Sequence, residues 1–420
     1  MITTLLHVPR HPAGVVVRGH FSSLTNLSKP GVRRLISSPI DEALQAAAAA
    51  GGVPNVVAVA ADRNGVIYEG AAGPRAVGST DPVTPDSCFR ILSMTKMVCT
   101  VAALQQVERG HLELSAPVDT YCPEFADLPV LEGFDGDTPK LRPAARRATV
   151  KHLVTHTSGL GYPFCNQNLR RWMSVTSKRR EASSWAKTFF ALPLLADPGT
   201  RFIYGTSTDW LGKVIETTSG LSLDVYLKDN VTGPLGMSKT VFVVNDQQRA
   251  NSVPVHTRND DGTWTVIDEV PDHQPSWWSG GHGLYSTPRD YLRFQRMLLG
   301  NGTLDDAKIL ESETVDAVFS NQIGDLDFPA EISTADPATM HTLHVGPGYK
   351  WGYGLLLNTL DILGGRRAWS GAWTGMCNTY FWVDRTTGIA GSLYCQFRPW
   401  LHQQALDVYA DFEQALYASL

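Results

Sequence analysis

No apolar run in this chain reaches the roughly 18–20 residues that a membrane-crossing helix needs; its longest apolar stretches are broken by Gln, Thr or Arg. No H-E-x-x-H occurs, which removes the zincin arrangement. The six cysteines (Cys88, Cys99, Cys122, Cys165, Cys377, Cys395) contain no C-x-x-C and no metal-ligand spacing. G-x-G-x-x-G and G-x-x-x-x-G-K-[ST] are both missing, so a nucleotide has no phosphate cradle. No metal and no cofactor is therefore expected. G-x-S-x-G is missing too, because Ser158, Ser279 and Ser370 each lack the leading glycine; that argues against a nucleophile elbow. Basic charge is short, with Lys+Arg 36 against Asp+Glu 41 and a net charge of −5. Nothing electrostatic points to nucleic acid.

Acidic residues are absent before Asp41, while Arg10, Arg18, Lys29, Arg33 and Arg34 precede it. With frequent Ser and Thr, this is the composition of an organellar transit peptide. The competing reading is a plain N-terminal arm packed on the body. Residues 1–38 are set apart as an N-terminal extension. The cysteines read as free, mostly buried thiols in a reducing compartment, and a cytoplasmic location is expected.

What the chain does hold is the makings of a large core. It has 420 residues, 43% hydrophobic and 18% charged. That is more than one small domain and typical of a globular enzyme. Its most informative stretch is Ser93-Met94-Thr95-Lys96. A serine and a lysine three apart share a helix face. Met94, Met97, Val98, Val101, Ala102, Leu104 and Val107 continue on a helical period nearly all round, which predicts a buried helix ending at Gly110. Ser93 then lies near a helix N-terminus, where backbone N–H groups favour an oxyanion. Serine needs a base to become a nucleophile. Lysine serves only if burial brings its pKa from about 10.4 toward 7–8. Taken alone, the pair reads first as an N-cap serine followed by a snorkelling lysine.

Two further elements add to it. Tyr204 falls in a turn between Phe202-Ile203 and a helical run through Asp209, Trp210, Leu211, Val214 and Ile215. A phenol beside an ammonium can shuttle a proton. Near the C-terminus, Trp369-Ser370-Gly371-Ala372-Trp373-Thr374-Gly375 opens a strand-rich stretch. Glycine in a strand marks close backbone approach.

In this order the three elements resemble the serine β-lactamase and penicillin-binding protein superfamily. Within it the chain is most similar to class C β-lactamases and family VIII carboxylesterases, and also to the statin side-chain acyltransferases of fungi. Val154-Thr155-His156-Thr157-Ser158-Gly159-Leu160, Pro234-Leu235-Gly236-Met237 and Gly280-Gly281-His282-Gly283-Leu284-Tyr285-Ser286 carry the likeness further. The resemblance implies that Ser93 is acylated and that Lys96 and Tyr204 transfer its proton. It implies an oxyanion hole from the N–H groups of Ser93 and Ala372, with Trp369, Ser370 and Gly371 in the places of a Lys-Thr-Gly motif. Thr206 stands where the β-lactamases have asparagine, and Trp369 where they have lysine. An indole cannot supply that lysine's charge to a β-lactam carboxylate. The implied substrate is therefore a short-chain, neutral carboxylic ester, with weak β-lactam hydrolysis as a side activity. The alternatives are acyl transfer to a small alcohol or amine, a β-lactamase or D-amino-peptidase, and an inactive binding protein of the same fold. Oligomeric state is not fixed by anything in the sequence.

The implied fold is α/β (α+β) and serine β-lactamase-like. Its antiparallel sheet is flanked by helices, with a mostly helical second domain. The pattern supports this independently. A helix starts at Ser38, Val56 to Ala60 is extended, Asn64-Gly65 is a hairpin turn, and Val66 returns. Asn378 to Val383 and Ile389 to Phe397 form a late hairpin, followed by a helix through Leu416. Strands at both chain ends build one sheet. The division expected is 39–116 with 276–420 as the α/β domain, and 117–275 as the inserted domain. Arg170 to Lys187 is basic and reads as a solvated helical face or a lid over the site. His156 and His282 read first as structural, with His282 a candidate for the pocket wall. Tyr162, Phe164, Trp277, Trp278, Trp351, Trp369 and Trp373 flank the motifs and suit an apolar pocket.

Overall fold

The structure, a computed structural model, describes residues 38–177, 189–268 and 275–420. The expected N-terminal extension and part of the basic stretch after Arg170 lie outside the described residues. Seven antiparallel strands form the central sheet. Their order across it is Tyr349–Trp351, Leu356–Asn358, Gly371–Gly375, Thr379–Asp384, Ile389–Tyr394, Val56–Asp62 and Val66–Ala72. The early hairpin docks on the last strand, with Val57 opposite Tyr394 and Asp62 opposite Ile389. Both chain ends thus build one sheet, as the patterns suggested. At the Asn64-Gly65 turn, the Asp62 carboxylate accepts both backbone N–H groups, at 2.7 and 2.8 Å.

Alternation along Val56–Asp62 serves two cores. Val57, Val59 and Ala61 face one; Val56, Ala58 and Ala60 face the other. With both faces covered, the strand reads as a continuous apolar run rather than as a polar alternation. The helices Ser38–Ala49 and Gln403–Ala418 cover the second face, through Ile40, Leu44, Phe412 and Leu416 against Tyr380, Trp382 and Leu393. Thr95–Glu108 and Pro288–Leu299 lie on the first face. From Thr95 to Gln106 every residue of the first of these is buried. Its polar members find partners: Gln105 Nε2 donates to the carbonyls of Asn230 and Ile309, and Gln106 Nε2 donates to Tyr226 OH.

A buried ion pair ties the loop before Gly371–Gly375 to the C-terminal helix. Arg366 donates to Glu413 through Nε (2.8 Å) and Nη2 (2.6 Å), and to Tyr409 OH at 2.7 Å. Removing one partner leaves the other charged and unpaired in the core. Glu413→Ala is expected to cost about 3–5 kcal/mol of stability, read as a lower midpoint in urea unfolding. A midpoint unchanged from wild type would contradict this pairing.

The middle of the chain holds the helices Val150–Val154, Gln167–Ser177, Ser207–Ser219 and Leu223–Leu227. It is less helical than expected toward its end. Val255–Arg258 and Trp264–Asp268 form a hairpin whose first strand pairs in parallel with Phe397–Arg398. Extended β-branched residues on both sides of an Asp-Gly turn explain that hairpin. It is joined by pairing to the α/β part before residue 276 is reached. Among the described residues no helix is long and apolar enough to cross a membrane. All six cysteines are unpaired, and all but Cys165 are buried.

Candidate active site

Ser93 sits in a short 3-10 turn, Leu92–Met94, directly before the helix Thr95–Glu108. Leu92 holds a left-handed backbone, φ 45°. For a leucine that is strained, by about 1–3 kcal/mol. The surrounding structure enforces it. Ile91 N–H bonds Leu284 O at 3.2 Å, Leu284 N–H bonds Thr95 Oγ1 at 3.1 Å, and Tyr291 OH donates to Met94 O at 3.0 Å. The glycine-rich loop before Leu284 is therefore strapped to the start of the helix.

One helical turn on, Lys96 is fully buried and its Nζ lies 3.0 Å from Ser93 Oγ. Its other partners are Gly281 O at 2.8 Å and Tyr162 OH at 3.1 Å. A neutral amine has two N–H donors and one lone pair. The carbonyl and the phenol take the two donors, and the lone pair is left for the Ser93 proton. Burial pulls the Lys96 pKa down to about 8, against the opposing pull of Asp209. That corresponds to roughly 3 kcal/mol against the charged form. Roughly a tenth of the molecules then carry an uncharged Lys96 at pH 7.

Tyr204 completes the group, its hydroxyl donating to Ser93 Oγ at 2.8 Å. Burial raises its pKa, partly offset by the bond to Ser93, so the phenol keeps its proton. The backbone around it is fixed by close approach. Ile203 N–H bonds His156 O at 2.8 Å. A side chain on Gly205 would come within 2.2 Å of Leu160 O, so only glycine fits there. His156 packs its ring on Tyr204 at 5.3 Å and is a buried wall residue, as expected of a structural histidine.

The third element differs from the expectation. Trp369 is 45% exposed and its N–H bonds Asn358 O, at the end of the strand away from Ser93. Ser370 donates to Arg367 O, Gly371 packs against Leu355 and Phe319, and Ala372 points into the core under the terminal helices. The stretch that reaches the site is Trp373-Thr374-Gly375. Trp373 packs edge-on against Tyr204 at 5.1 Å. A side chain on Gly375 would meet Ile91 O at 2.4 Å, so this backbone lies directly against the nucleophile turn. Met376 then lines the same cavity as Ser93. Among the described residues, no carbonyl or side chain takes the N–H of Ser93 or of Met376. The third motif therefore lies four residues beyond its expected place. The candidate oxyanion donor beside Ser93 moves from Ala372 to Met376.

Thr206 is buried at the start of Ser207–Ser219, with no hydrogen-bond partner for its hydroxyl among the described residues. It does not line the cavity, whereas His282 does. That cavity is about 460 Å³; Leu92, Phe164, Met173, Phe189, Leu192 and Met376 form its apolar wall, and Arg90, Arg170, Asp336 and Arg398 line it too. A larger hollow of about 600 Å³ between Asp119, Arg142 and Pro198 shares no residue with it and holds no candidate nucleophile. Sequence reasoning missed Asp209. It is fully buried beneath the site, accepting from Gly281 N–H at 3.0 Å and from Tyr162 OH at 3.4 Å. The available signal was an acidic residue on the apolar face of a helix, next to Trp210 and Leu211. Among the described residues no cluster of His, Cys, Asp and Glu is arranged to hold a metal ion.

A serine and a buried lysine on one turn, at the start of a helix packed on an antiparallel sheet, are the features to set beside known proteins. The beta-lactamase family model matches residues 40–416, and the chain belongs to that family. Among its relatives is the monacolin J acid methylbutanoyltransferase of Aspergillus terreus, 30% identical over 87% of this chain and 92% of that protein. The lovastatin esterase of Penicillium rubens is 30% identical over 84% of this chain and 91% of its own length. A solved mutant of simvastatin synthase from Aspergillus terreus superimposes with a TM-score of 0.78 at 30% identity, covering 90% of this chain and 94% of the other.

Proposed function

We propose that this chain is a serine carboxylesterase and acyltransferase, which takes the acyl group of a carboxylic ester onto Ser93 and passes it to water or to a small alcohol or amine. The observation that carries this is Ser93 Oγ within hydrogen-bond reach of both Lys96 Nζ and Tyr204 OH. As Ser93 Oγ bonds the carbonyl carbon, neutral Lys96 takes its proton. The oxyanion turns toward the N–H groups of Ser93 and Met376. When the carbon–oxygen bond to the alcohol breaks, the leaving alkoxide receives that proton, relayed through Tyr204. The incoming water or alcohol then gives its proton to the same pair, and Ser93 is regenerated.

The apolar side of the cavity, Leu92, Phe164, Met173, Phe189 and Leu192, suits a short acyl group, and Arg90, Arg170, Asp336 and Arg398 line the rest of it. Trp373, in the place of the β-lactamase lysine, offers no charge to a carboxylate. The cavity takes Arg90 and Met376 from the expected α/β domain, and Phe164 and Phe189 from the inserted one. Relatives named as a transferase and as an esterase support both fates of the acyl group.

The test is p-nitrophenyl butyrate with and without 1-propanol. Release of p-nitrophenol, with propyl butyrate forming when propanol is present, is expected. No release above a Ser93→Ala control would remove the proposal. Nitrocefin turned over faster than esters would favour a β-lactamase instead.

A further inference from the structure

We propose that His282 recognises a hydrogen-bond donor on the substrate, a hydroxyl or N–H beyond the oxygen that carries the acyl group, through its Nε2 atom. The proposal rests on the acyl-transfer reading above and adds a substrate class to it.

The geometry fixes which ring nitrogen carries the proton. Ser279 Oγ has three neighbours: Asp209 Oδ1 at 2.5 Å, His282 Nδ1 at 2.7 Å and the His282 backbone N–H at 3.0 Å. A hydroxyl has one proton and two lone pairs. Asp209 is an acceptor that already receives Gly281 N–H, so the Ser279 proton goes to it. The backbone N–H of His282 occupies one Ser279 lone pair. The imidazole at Nδ1 must then donate to the other. Nδ1 carries the hydrogen, and Nε2 keeps a free lone pair.

With Nδ1 turned onto Ser279, the rest of the ring is what His282 brings to the cavity. His282 lines the cavity with Ser93 and Met376, and its side chain is 34% exposed. The rings of Phe189 and Trp277 flank it at 6.0 and 5.9 Å. Among the described residues nothing donates to Nε2. Burial also holds the imidazole below the usual histidine range, against the pull of Asp209, which keeps the ring neutral near pH 7. A fixed acceptor on an apolar wall discriminates strongly. A ligand that supplies the donor is bound, and one that lacks it leaves the acceptor unpaired.

The experiment compares matched substrates, and its readout is a ratio within each protein. In one arm the acyl enzyme from p-nitrophenyl butyrate is partitioned between 1-propanol and 1,3-propanediol. In the other, the p-nitrophenyl esters of butyrate and 3-hydroxybutyrate compete. Wild type is expected to favour the hydroxylated member of at least one pair by about tenfold or more. His282→Phe should bring that ratio to within about twofold of unity. His282→Gln, whose amide oxygen is an acceptor near the Nε2 position, should recover part of it. Ser279→Ala, which releases the tautomer, should lower it without touching the ring. No preference in wild type in either arm, or an unchanged ratio in His282→Phe, would overturn the proposal. Loss of p-nitrophenol release in wild type would instead strike the acyl-transfer reading.

Discussion

Ser93→Ala is expected to take ester cleavage down to its uncatalysed background, a fall of at least about 10⁴-fold in kcat/KM. No neighbouring group can stand in. Among the described residues, the only hydroxyl held between Lys96 and Tyr204 is that of Ser93. Burial raises the Tyr162 phenol far above its ordinary range, so it offers no anion. Cys88, five residues before Ser93, packs with Val244 and Tyr285, and burial pushes its thiol up to about 11. Mass spectrometry should find the acyl adduct on the peptide carrying Ser93 and on no other. Retained turnover in the alanine variant, or an adduct elsewhere, would move the nucleophile.

Lys96→Met should cost about 10³–10⁴-fold in kcat/KM, near the upper end of what a general base contributes. Methionine is close in length and keeps the buried site filled, so the change isolates the lone pair. Lys96→Arg should not rescue the activity. A guanidinium stays charged and has no lone pair to offer. The readout is the pre-steady-state rate of p-nitrophenol release, which reports acylation alone. If the methionine variant acylated at the wild-type rate, the proton would have to go to Tyr204.

The candidate catalytic group was legible because its members are close in sequence or mark a turn. Ser93 and Lys96 are one helical turn apart, and Tyr204 precedes a helix whose apolar period is plain. The sheet was legible for the same local reasons, through the Asn64-Gly65 turn and the late hairpin. The third motif was not. Trp369-Ser370-Gly371 and Trp373-Thr374-Gly375 both read as an indole, a hydroxyl and a glycine. Only the approach of Gly375 to Ile91, across more than half the chain, decides between them. The Thr-Gly pair of the second candidate was the available clue. Asp209 and Ser279 escaped for a like reason. Each is an ordinary polar residue until packing brings them together under Gly281.

The most direct test of the buried-amine base is the pH dependence of acylation. Only uncharged Lys96 can accept the Ser93 proton, and its pKa is pulled down to about 8. Below that value the active fraction falls tenfold for each pH unit, and above it the rate levels off. The burst rate with p-nitrophenyl butyrate, measured from pH 5 to 9.5, should rise with unit slope and bend near pH 8. A rate that stays flat down to pH 5 would contradict a lysine base at Ser93.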